Sequence, residues 1–393
     1  MSTTLIANGR VLFEGKLHKD WAVAIDNSRI AYAGPARKAP KADRTIDAAG
    51  AAVVPGFIDL HIHGGAGSDF MDATLQDYCT IAAYHAAGGT TAWMPTTATD
   101  RHENVLAALK TIRQAREQKL TGPDILGSHV EGPYLTRSKC GCHDPDLVRP
   151  PRDNEVRDLL DNVDIIGRIT IAPDLPGALP FIRQLAERGV LVSGGHSEAT
   201  YSLMMEAVDA GMRMVTHLYS AMSSILKAGP FRSGGMLEAT MLDDRITTEL
   251  IADGKHVPPE LLKLALKTKD PNTVCFTTDA MRGAGAPDGI YTFGGKAGTK
   301  AVVDNGVARN LLNTGFASST VQMVDLARNG VQIAGLTFEE SIRRCSEVPA
   351  RIAGVFDRKG SIEVGKDADI VLLDDRTWQV RLTLVRGRVI ARD

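Results

Sequence analysis

The chain has 393 residues, of which 44% are hydrophobic and 23% are charged, and its formal net charge is −2. This length is sufficient for a full barrel and one smaller domain, and the near-neutral charge without basic runs indicates neither a nucleic-acid partner nor binding to a membrane surface. No apolar stretch is long enough to span a bilayer, residues 1–6 lack the pattern of a signal peptide, and an odd number of cysteines, five, is typical of reduced thiols, so we expect a cytoplasmic protein.

Both ends of the chain have the pattern of short strands. Strands are predicted at residues 4–7, 10–13, 21–25 and 29–34, and again at residues 370–373, 380–385 and 388–391. Neither end has enough strands for an independent sheet, so we predict that the two ends pair in one small β-sandwich. The predicted domains are residues 1–54 with 356–393 for this sandwich, and residues 55–355 for the remainder.

Between the ends, β-like runs alternate with helical patterns. Helices are predicted at residues 74–87, 104–118, 178–188, 201–210, 259–267, 319–329 and 337–348. Strands that alternate with helices predict a parallel sheet, and eight such units predict a (β/α)8 barrel. The longest irregular stretch, residues 134–153, contains Cys140-Gly141-Cys142-His143 and is predicted to form a lid.

Five predicted strands end on residue types that commonly bind metals. His61 and His63 share one face of the first strand, because residues i and i+2 of a strand point to the same side. The later strand ends carry Glu131, His196, His217 and Asp279. Side chains from the carboxyl ends of several strands form the active site of a barrel, and imidazoles with carboxylates suit zinc or iron. The order of these residues is typical of a metal-dependent hydrolase.

Each of these residues also has a structural interpretation. The histidines could be core residues, and Glu131 could be a surface carboxylate, although the β-like run before it predicts a buried strand end where a carboxylate needs a partner. Asp279 could cap a helix or lie in a turn, and by spacing alone His256 is equally consistent with a surface position. Cys140 and Cys142 lack the second ligand pair of a structural zinc site.

Longer motifs surround these residues. One pair of motifs consists of residues 55–63, Pro-Gly-Phe-Ile-Asp-Leu-His-Ile-His, and residues 360–369. A second set consists of residues 129–134, 195–197, 216–219, 252–257 and 278–280. The first pair resembles the amidohydrolase superfamily, and the second set resembles the N-acetylglucosamine-6-phosphate deacetylase family within it. All the motifs occur in order, and the resemblance covers the whole chain.

The resemblance implies a distorted barrel with a small β-sandwich, and a homodimer that removes the acetyl group of an amino sugar. It implies that Glu131, His196 and His217 bind the principal metal and that Asp279 is the catalytic acid/base. Some members replace the paired strand histidines, but this chain keeps His61 and His63, so a second ion bridged by Glu131 is expected. The expected cofactor is one or two divalent metal ions per chain, with zinc favoured and iron(II) as the alternative.

The residues expected to contact the substrate depart in part from the family pattern. These residues are Cys142, His143, Ser220, Ala221, Lys227, Ala228, Arg232, His256, Phe316 and Ala317. Ser220 stands where the family usually has Asn, and Ala228 stands near the place of an Arg that reaches the sugar phosphate, often across the dimer. Lys227 and Arg232 flank that position, and Lys binds phosphate as a point charge rather than as a planar fork.

The predicted reaction is therefore hydrolysis of N-acetylglucosamine 6-phosphate to glucosamine 6-phosphate and acetate. A related amide, such as N-acetylgalactosamine 6-phosphate or an unphosphorylated N-acetyl sugar, is the first alternative. A sugar-phosphate sensor without activity is disfavoured because every proposed catalytic position is filled. A cyclic-amide hydrolase is disfavoured because those of this superfamily commonly carry Lys where this chain has Glu131.

Overall fold

The structure, a computed structural model, describes residues 3–392. Met1, Ser2 and Asp393, which the predicted terminal domain includes, lie outside that range. A parallel sheet forms the centre, with strands Phe57–Ile62, Thr90–Thr97, Ser128–Glu131, Ile166–Ile171, Leu191–Gly194, Met214–Val215, Thr247–Leu250 and Val274–Phe276. Each strand pairs in parallel with the next, and a parallel bridge between Ile62 and Ala280 joins the last to the first. The predicted barrel is confirmed.

A helix follows each barrel strand. The helices are Leu75–Ala87, His102–Glu117, Asp153–Leu160, Ala178–Glu187, Tyr201–Asp209, Met236–Leu242, Pro259–Thr268 and Met323–Gln332, followed by Phe338–Cys345 and Glu347–Ile352. Short 3-10 helices are Ala36–Lys38, Phe70–Asp72 and Arg137–Lys139. Threonine is the N-cap residue of several long helices, because its hydroxyl can accept a hydrogen bond from a first-turn N–H that has no partner within the helix. The hydroxyl of Thr74 accepts from the N–H of Asp77, and the hydroxyl of Thr200 accepts from the N–H of Leu203. No helix within residues 3–392 combines the length and the apolar character needed to cross a membrane.

Two of the predicted helices have wrong bounds. The helix predicted from residue 319 begins only at Met323, because Ser319 is held by the barrel end: its N–H donates to the carbonyl of Asp279 and its carbonyl accepts from Met281. The helix predicted at residues 337–348 is divided at Ser346, whose φ of −133° and ψ of −73° interrupt the helical backbone.

Both ends of the chain join one mixed sheet. Its strands are Thr3–Phe13, Lys16–Asp26, Arg29–Pro35, Arg44–Asp47, Ala52–Pro55, Ile370–Asp374, Gln379–Val385 and Arg388–Arg392. The strand Ala52–Pro55 connects the two ends, because it pairs with Thr3–Phe13 on one side and with Ile370–Asp374 on the other. Side chains from both ends, such as Ile6 and Leu384, share one apolar cluster. The prediction that the two ends pair in one small β-structure is confirmed: they form one sheet, to which Arg44–Asp47 and Ala52–Pro55 also belong.

Lys359 fastens this sheet to the barrel. Its ammonium nitrogen lies 2.6 Å from a carboxylate oxygen of Asp124, 2.5 Å from one of Asp369 and 3.2 Å from one of Asp367. Burial opposes the charge, but Asp369 and Asp124 more than compensate and raise the pKa of Lys359 above its ordinary value. The three carboxylates could hold a metal by their spacing alone, but the ammonium group already contacts all three, so we assign them a structural role.

Smaller antiparallel elements interrupt the barrel units. The strands Leu226–Ala228 and Phe231–Ser233 form a hairpin after the sixth barrel strand. The strands Gly289–Phe293, Thr299–Asp304 and Val307–Asn310 form a small sheet after the eighth, and Gly64–Gly65 pairs with Ser68–Asp69 after the first. Every residue of the first hairpin except Leu226 is exposed.

Candidate active site

The barrel brings the predicted metal-binding residues together at the carboxyl end of its strands. His61 lies within the strand Phe57–Ile62, and Glu131 is the last residue of its strand. The remaining four, His63, His196, His217 and Asp279, follow their strands by one to three residues. All six side chains are buried, so their polar atoms need partners within the protein or a bound ion.

An unusual backbone conformation turns three of these residues into the site. The φ angles are 49° at His196, 31° at His217 and 47° at Asp279. Left-handed backbone is uncommon for residues other than glycine and costs on the order of 1–3 kcal/mol at each position. The surrounding barrel holds all three residues in this conformation, which is typical of a functional site.

Glu131 is the centre of the cluster. Its Oε1 lies 3.2 Å from Nε2 of His196 and 3.3 Å from Nε2 of His217. Its Oε2 lies 3.2 Å from Nε2 of His61 and 3.0 Å from Nε2 of His63. Each carboxylate oxygen therefore faces a different pair of imidazoles, so the carboxylate can bridge two groups of ligands.

The donor atoms fit a divalent cation. The Nε2 atoms of His61 and His63 are 3.1 Å apart, and those of His196 and His217 are 2.9 Å apart. Nitrogen and carboxylate oxygen atoms that point toward a common centre are suitable ligands for zinc or iron. Among residues 3–392, the groups able to hold a metal include one of His61, His63 and Glu131, and another of Glu131, His143 and His196.

The carboxylates dominate the electrostatics of the site. Burial disfavours a charged His61, yet Glu131, Asp279 and Glu249 outweigh it and raise the pKa of His61 well above 6.5. Burial also opposes charge on His63, but Asp279 and Glu131 raise its pKa to about 9. Burial would raise the pKa of Glu131, and the imidazole of His61 instead holds it well below its usual range. The cluster therefore attracts positive charge, as a cation site does.

A buried ion pair that the sequence patterns did not predict lies beneath this cluster. Arg168 donates to both carboxylate oxygens of Glu249, at 2.6 and 2.8 Å. Oε1 of Glu249 also lies 2.9 Å from Nδ1 of His61. Burial would raise the pKa of Glu249, and the charge of Arg168 lowers it instead. The one available signal was a single charged residue within each of two barrel strands.

His143 and His256 differ in how they are held. The backbone N–H of Thr99 donates to Nδ1 of His143 at 3.2 Å, so the ring proton of neutral His143 lies on Nε2, which is 3.3 Å from Oε2 of Glu131. Burial lowers the pKa of His143 to about 4, so the ring is neutral. His256 instead donates from Nδ1 to Asp253 at 2.7 Å. Its ring lies against Phe316, with the centroids 4.2 Å apart.

A cavity of about 370 Å³ opens above the cluster. Predicted residues that line it are Glu131, Cys142, His143, His196, His217, Ser220, Ala221, His256, Asp279 and Phe316. His61 and His63 are not among the lining residues, but both contact Glu131, which lines the cavity. Its size is in the range of small-molecule sites.

Four predicted substrate contacts are not brought to this cavity. Lys227, Ala228 and Arg232 lie on the exposed hairpin, and Ala317 is buried and donates its N–H to the carbonyl of Ala308. Conversely, sequence reasoning missed further lining residues: Ser138, Lys139, Gly141, Tyr219, Ile251, Gly315 and Ser318. Lys139 is the one lysine or arginine among the described residues that line the cavity. No sequence signal separated it from an ordinary loop lysine.

The fold and this cluster define a barrel hydrolase of the metal-dependent type, and the family comparison agrees. Residues 52–390 match the model of the amidohydrolase family, so the chain belongs to that family, as its motifs indicated.

Its relatives within the family have more specific names. The chain is 33% identical to an N-acetylglucosamine-6-phosphate deacetylase of Bacillus subtilis, over 98% of this chain and 96% of the relative. It is 38% identical to an N-acetylgalactosamine-6-phosphate deacetylase of Escherichia coli O157:H7, over 81% and 83%. The crystal structure of N-acetylglucosamine-6-phosphate deacetylase from Pasteurella multocida is similar with a TM-score of 0.92 and 30% identity, with full coverage of both chains. A mutant of the enzyme from Mycobacterium smegmatis, in complex with N-acetyl-D-glucosamine-6-phosphate, has a TM-score of 0.90 and 33% identity, also with full coverage.

Proposed function

We propose that this protein hydrolyses the N-acetyl group of an amino-sugar 6-phosphate, with N-acetylglucosamine 6-phosphate as the principal substrate. The observation that carries the proposal is the position of Asp279, whose Oδ1 lies 3.4 Å from Nε2 of both His61 and His63 at the wall of the cavity. A buried carboxylate beside a cluster of metal-binding residues can move a proton during amide hydrolysis. The names of the relatives at 33% and 38% identity supply the substrate class.

The residues around Glu131 are proposed as ligands for two divalent ions. His196 and His217 with Oε1 of Glu131 would hold the principal ion, and His61 and His63 with Oε2 would hold the second. Zinc is preferred, because its usual ligands are imidazole and carboxylate, and iron(II) is the alternative. A divalent ion held here would supply Lewis acidity, which would polarise the acetyl carbonyl and lower the pKa of the attacking water to about 7.

Asp279 is proposed to transfer the proton. Its Oδ1 accepts a hydrogen bond from Ser318 and faces two imidazoles, which leaves Oδ2 for the cavity. Oδ2 accepts a proton from water as the water oxygen bonds to the acetyl carbon. Asp279 then gives that proton to the sugar nitrogen as the carbon–nitrogen bond breaks, which releases acetic acid and the free amine. Acid–base catalysis of this kind contributes a factor of about 10²–10⁴.

His143 and His256 are proposed to orient the acetyl group and the sugar. His143 is neutral and carries its proton on Nε2, so it can donate a hydrogen bond to the carbonyl oxygen as negative charge develops there. In neutral His256, Nδ1 donates to Asp253, which leaves Nε2 as an acceptor for a sugar hydroxyl. Phe316 packs on His256 and limits the movement of the ring.

The phosphate is proposed to bind through a homodimer. Lys227 and Arg232 are exposed on the same hairpin as Phe231, which is 76% exposed, and they do not line the cavity of their own chain. A second copy that covers Phe231 would bury this apolar ring and bring the two cations to the neighbouring cavity. Lys139, which lines the cavity of its own chain, is the competing candidate for the phosphate.

The experiment is acetate release from N-acetylglucosamine, N-acetylgalactosamine and the 6-phosphate of each, measured with the zinc-loaded protein. We expect the greatest kcat/KM for N-acetylglucosamine 6-phosphate. A preference for N-acetylgalactosamine 6-phosphate would instead assign the activity named for the Escherichia coli relative. If none of the four sugars releases acetate, the deacetylase proposal is refuted.

A further inference from the structure

One imidazole of the proposed metal site, that of His61, is held by a charged side chain that would not itself touch an ion. Nδ1 of His61 lies 2.9 Å from Oε1 of Glu249, and the side chains of His61, Glu249 and Arg168 are all fully buried. A carboxylate accepts hydrogen bonds and cannot donate them when ionised. The contact therefore requires a proton on Nδ1 of His61, which leaves Nε2 to point toward Glu131.

The other imidazoles of the cluster are held differently. Nδ1 of His196 lies 2.7 Å from the backbone carbonyl of Lys139, so a neutral acceptor fixes that ring. Nδ1 of His63 and Nδ1 of His217 are buried and have no hydrogen-bond partner among the described residues. Each pair of imidazoles thus contains one ring whose Nδ1 has an acceptor and one whose Nδ1 has none, and the carboxylate acceptor belongs to His61.

We propose that Glu249 and Arg168 are positioning residues that hold His61 with its proton on Nδ1 and its Nε2 directed toward Glu131, and that they thereby set the affinity of the ion shared by His61 and His63. This inference rests on the proposed function, because it takes His61 and His63 as ligands. A carboxylate that accepts the remote N–H of a histidine ligand orients the ring and raises its basicity.

Arg168 has a specific part in this arrangement. It fixes both carboxylate oxygens of Glu249, since it donates to each of them. It also donates to the hydroxyls of Thr216 and Ser193, at 2.9 and 3.2 Å. The pair is therefore anchored to two further barrel strands, and the orientation of His61 depends on the closed barrel.

The effect is expected to be confined to one ion. Glu249 contacts the ring of His61 but only the backbone N–H of His217, at 3.3 Å. Loss of the charged partner of a ligating histidine typically weakens metal binding about 10-fold to 100-fold. The ion at His196 and His217 keeps its ring acceptor at Lys139 and is expected to change little.

The test uses two double variants, because removal of one partner alone would leave a buried charge unpaired and endanger folding. Arg168→Met with Glu249→Leu removes the charges together with the acceptor for His61. Arg168→Met with Glu249→Gln removes the charges and keeps an oxygen that can accept from Nδ1. Ser193→Ala is the matched control, since it removes a buried contact of Arg168 and leaves Glu249 and His61 in place.

The readout is zinc affinity, measured by competition with a chromogenic chelator, which reports two dissociation constants in the wild type. We expect the leucine variant to lose affinity for one ion about 10-fold to 100-fold, the glutamine variant to lose less, and the control to match the wild type. Unchanged affinities in the leucine variant, or equal weakening of both ions, would overturn the positioning role. A wild type that binds no zinc would instead refute the proposed metal site.

A measurement on the wild type alone covers the case in which the variants fail to fold. In zinc-loaded protein with ¹⁵N-labelled histidine, the nitrogen shifts of His61 should show a proton on Nδ1 and zinc on Nε2, with the assignment taken from His61→Asn. Zinc bound to Nδ1 of His61, or an Nδ1 that carries no proton, would contradict the proposal, and this result requires no substitution at Glu249.

Discussion

The hydroxyl of Ser318 donates a hydrogen bond of 3.0 Å to Oδ1 of Asp279, and both residues have left-handed backbone, with φ angles of 61° and 47°. The N–H of the next residue, Ser319, donates to the carbonyl of Asp279 at 2.8 Å. The segment after the small sheet therefore bonds to both the side chain and the backbone of Asp279. This contact leads to the first prediction.

Ser318→Ala should lower kcat about tenfold and leave KM nearly unchanged. A hydrogen bond to a charged group is worth roughly 1.5–3 kcal/mol, and water can replace part of it. Steady-state kinetics provide the measurement, and Ser319→Ala is the control because the hydroxyl of Ser319 bonds to the backbone of Thr278 instead. A rise in KM with normal kcat would show that Ser318 contacts the substrate rather than positioning Asp279.

Asp279→Asn should abolish turnover while zinc still binds. Asparagine keeps the size of the side chain and can accept from Ser318, but it cannot accept the proton of water, so turnover should fall by a factor on the order of 10³ or more. Acetate release and zinc content should be measured on the same preparation. Turnover within tenfold of the wild type would exclude Asp279 as the proton carrier.

Zinc content should separate the two halves of the cluster. His61→Asn with His63→Asn removes both imidazoles that face Oε2 of Glu131 and leaves those that face Oε1. Purified wild type should hold up to two ions per chain, and the double variant should hold one fewer. Elemental analysis is the measurement, and unchanged zinc content in the variant would contradict the two-ion site.

The hairpin cations should act on phosphate only. Lys227→Ala and Arg232→Ala should lower kcat/KM for the 6-phosphate substrate about tenfold to a hundredfold, since a charge-assisted contact is worth roughly 1.5–3 kcal/mol. The kcat/KM for the unphosphorylated sugar should stay unchanged. Lys139→Ala is the comparison variant. If Lys139→Ala alone reduces phosphate selectivity, the contact lies within one chain and the hairpin is not involved.

His85 should make stability depend on pH. It is buried, lies 2.9 Å from the carbonyl of Gly64 through Nε2, and burial lowers its pKa from 6.5 to about 4. The unfolded state binds the proton more readily, so this contribution is complete above about pH 6.5 and is lost as the pH falls toward 4, by on the order of 3 kcal/mol.

His85→Gln keeps a donor for Gly64 and removes the titration. Urea unfolding of the metal-free protein at pH 7.5 and at pH 4.5 gives the free energy of unfolding at each pH. The wild type should lose more stability than the variant between these values, and the difference is the contribution of His85. Equal losses would show that His85 takes up its proton as readily when folded as when unfolded.

The strand-end residues were predictable because each follows a local apolar run. His61 and His63 show the two-residue spacing of a strand face, and Glu131 directly ends a strand, so local patterns were enough to place them. The barrel followed from the alternation of strands and helices. These features depend on neighbours in the sequence, and the structure agrees with them.

Features that depend on distant segments were not predictable from the pattern. Arg168 and Glu249 are 81 residues apart, and their pairing exists only when the fourth and seventh barrel strands face the same interior. Lys139 reaches the cavity because the loop that carries it folds back against His196. Lys227 and Arg232 were placed near the cavity by position in the sequence, but the hairpin points them to solvent within one chain. In each case tertiary geometry decides the outcome.

The strand Ala52–Pro55 has a consequence for the protein during its synthesis. It leads directly into the strand that carries His61, yet one of its edges is completed only by Ile370–Asp374, about 315 residues later. At roughly 5–20 residues per second, the ribosome needs about 15–60 seconds to supply that partner. Throughout this time the nascent chain presents an open, apolar β-edge beside its first barrel strand. An unpaired edge invites pairing with other chains, so we expect the newly made protein to be most prone to aggregation before its last strands emerge.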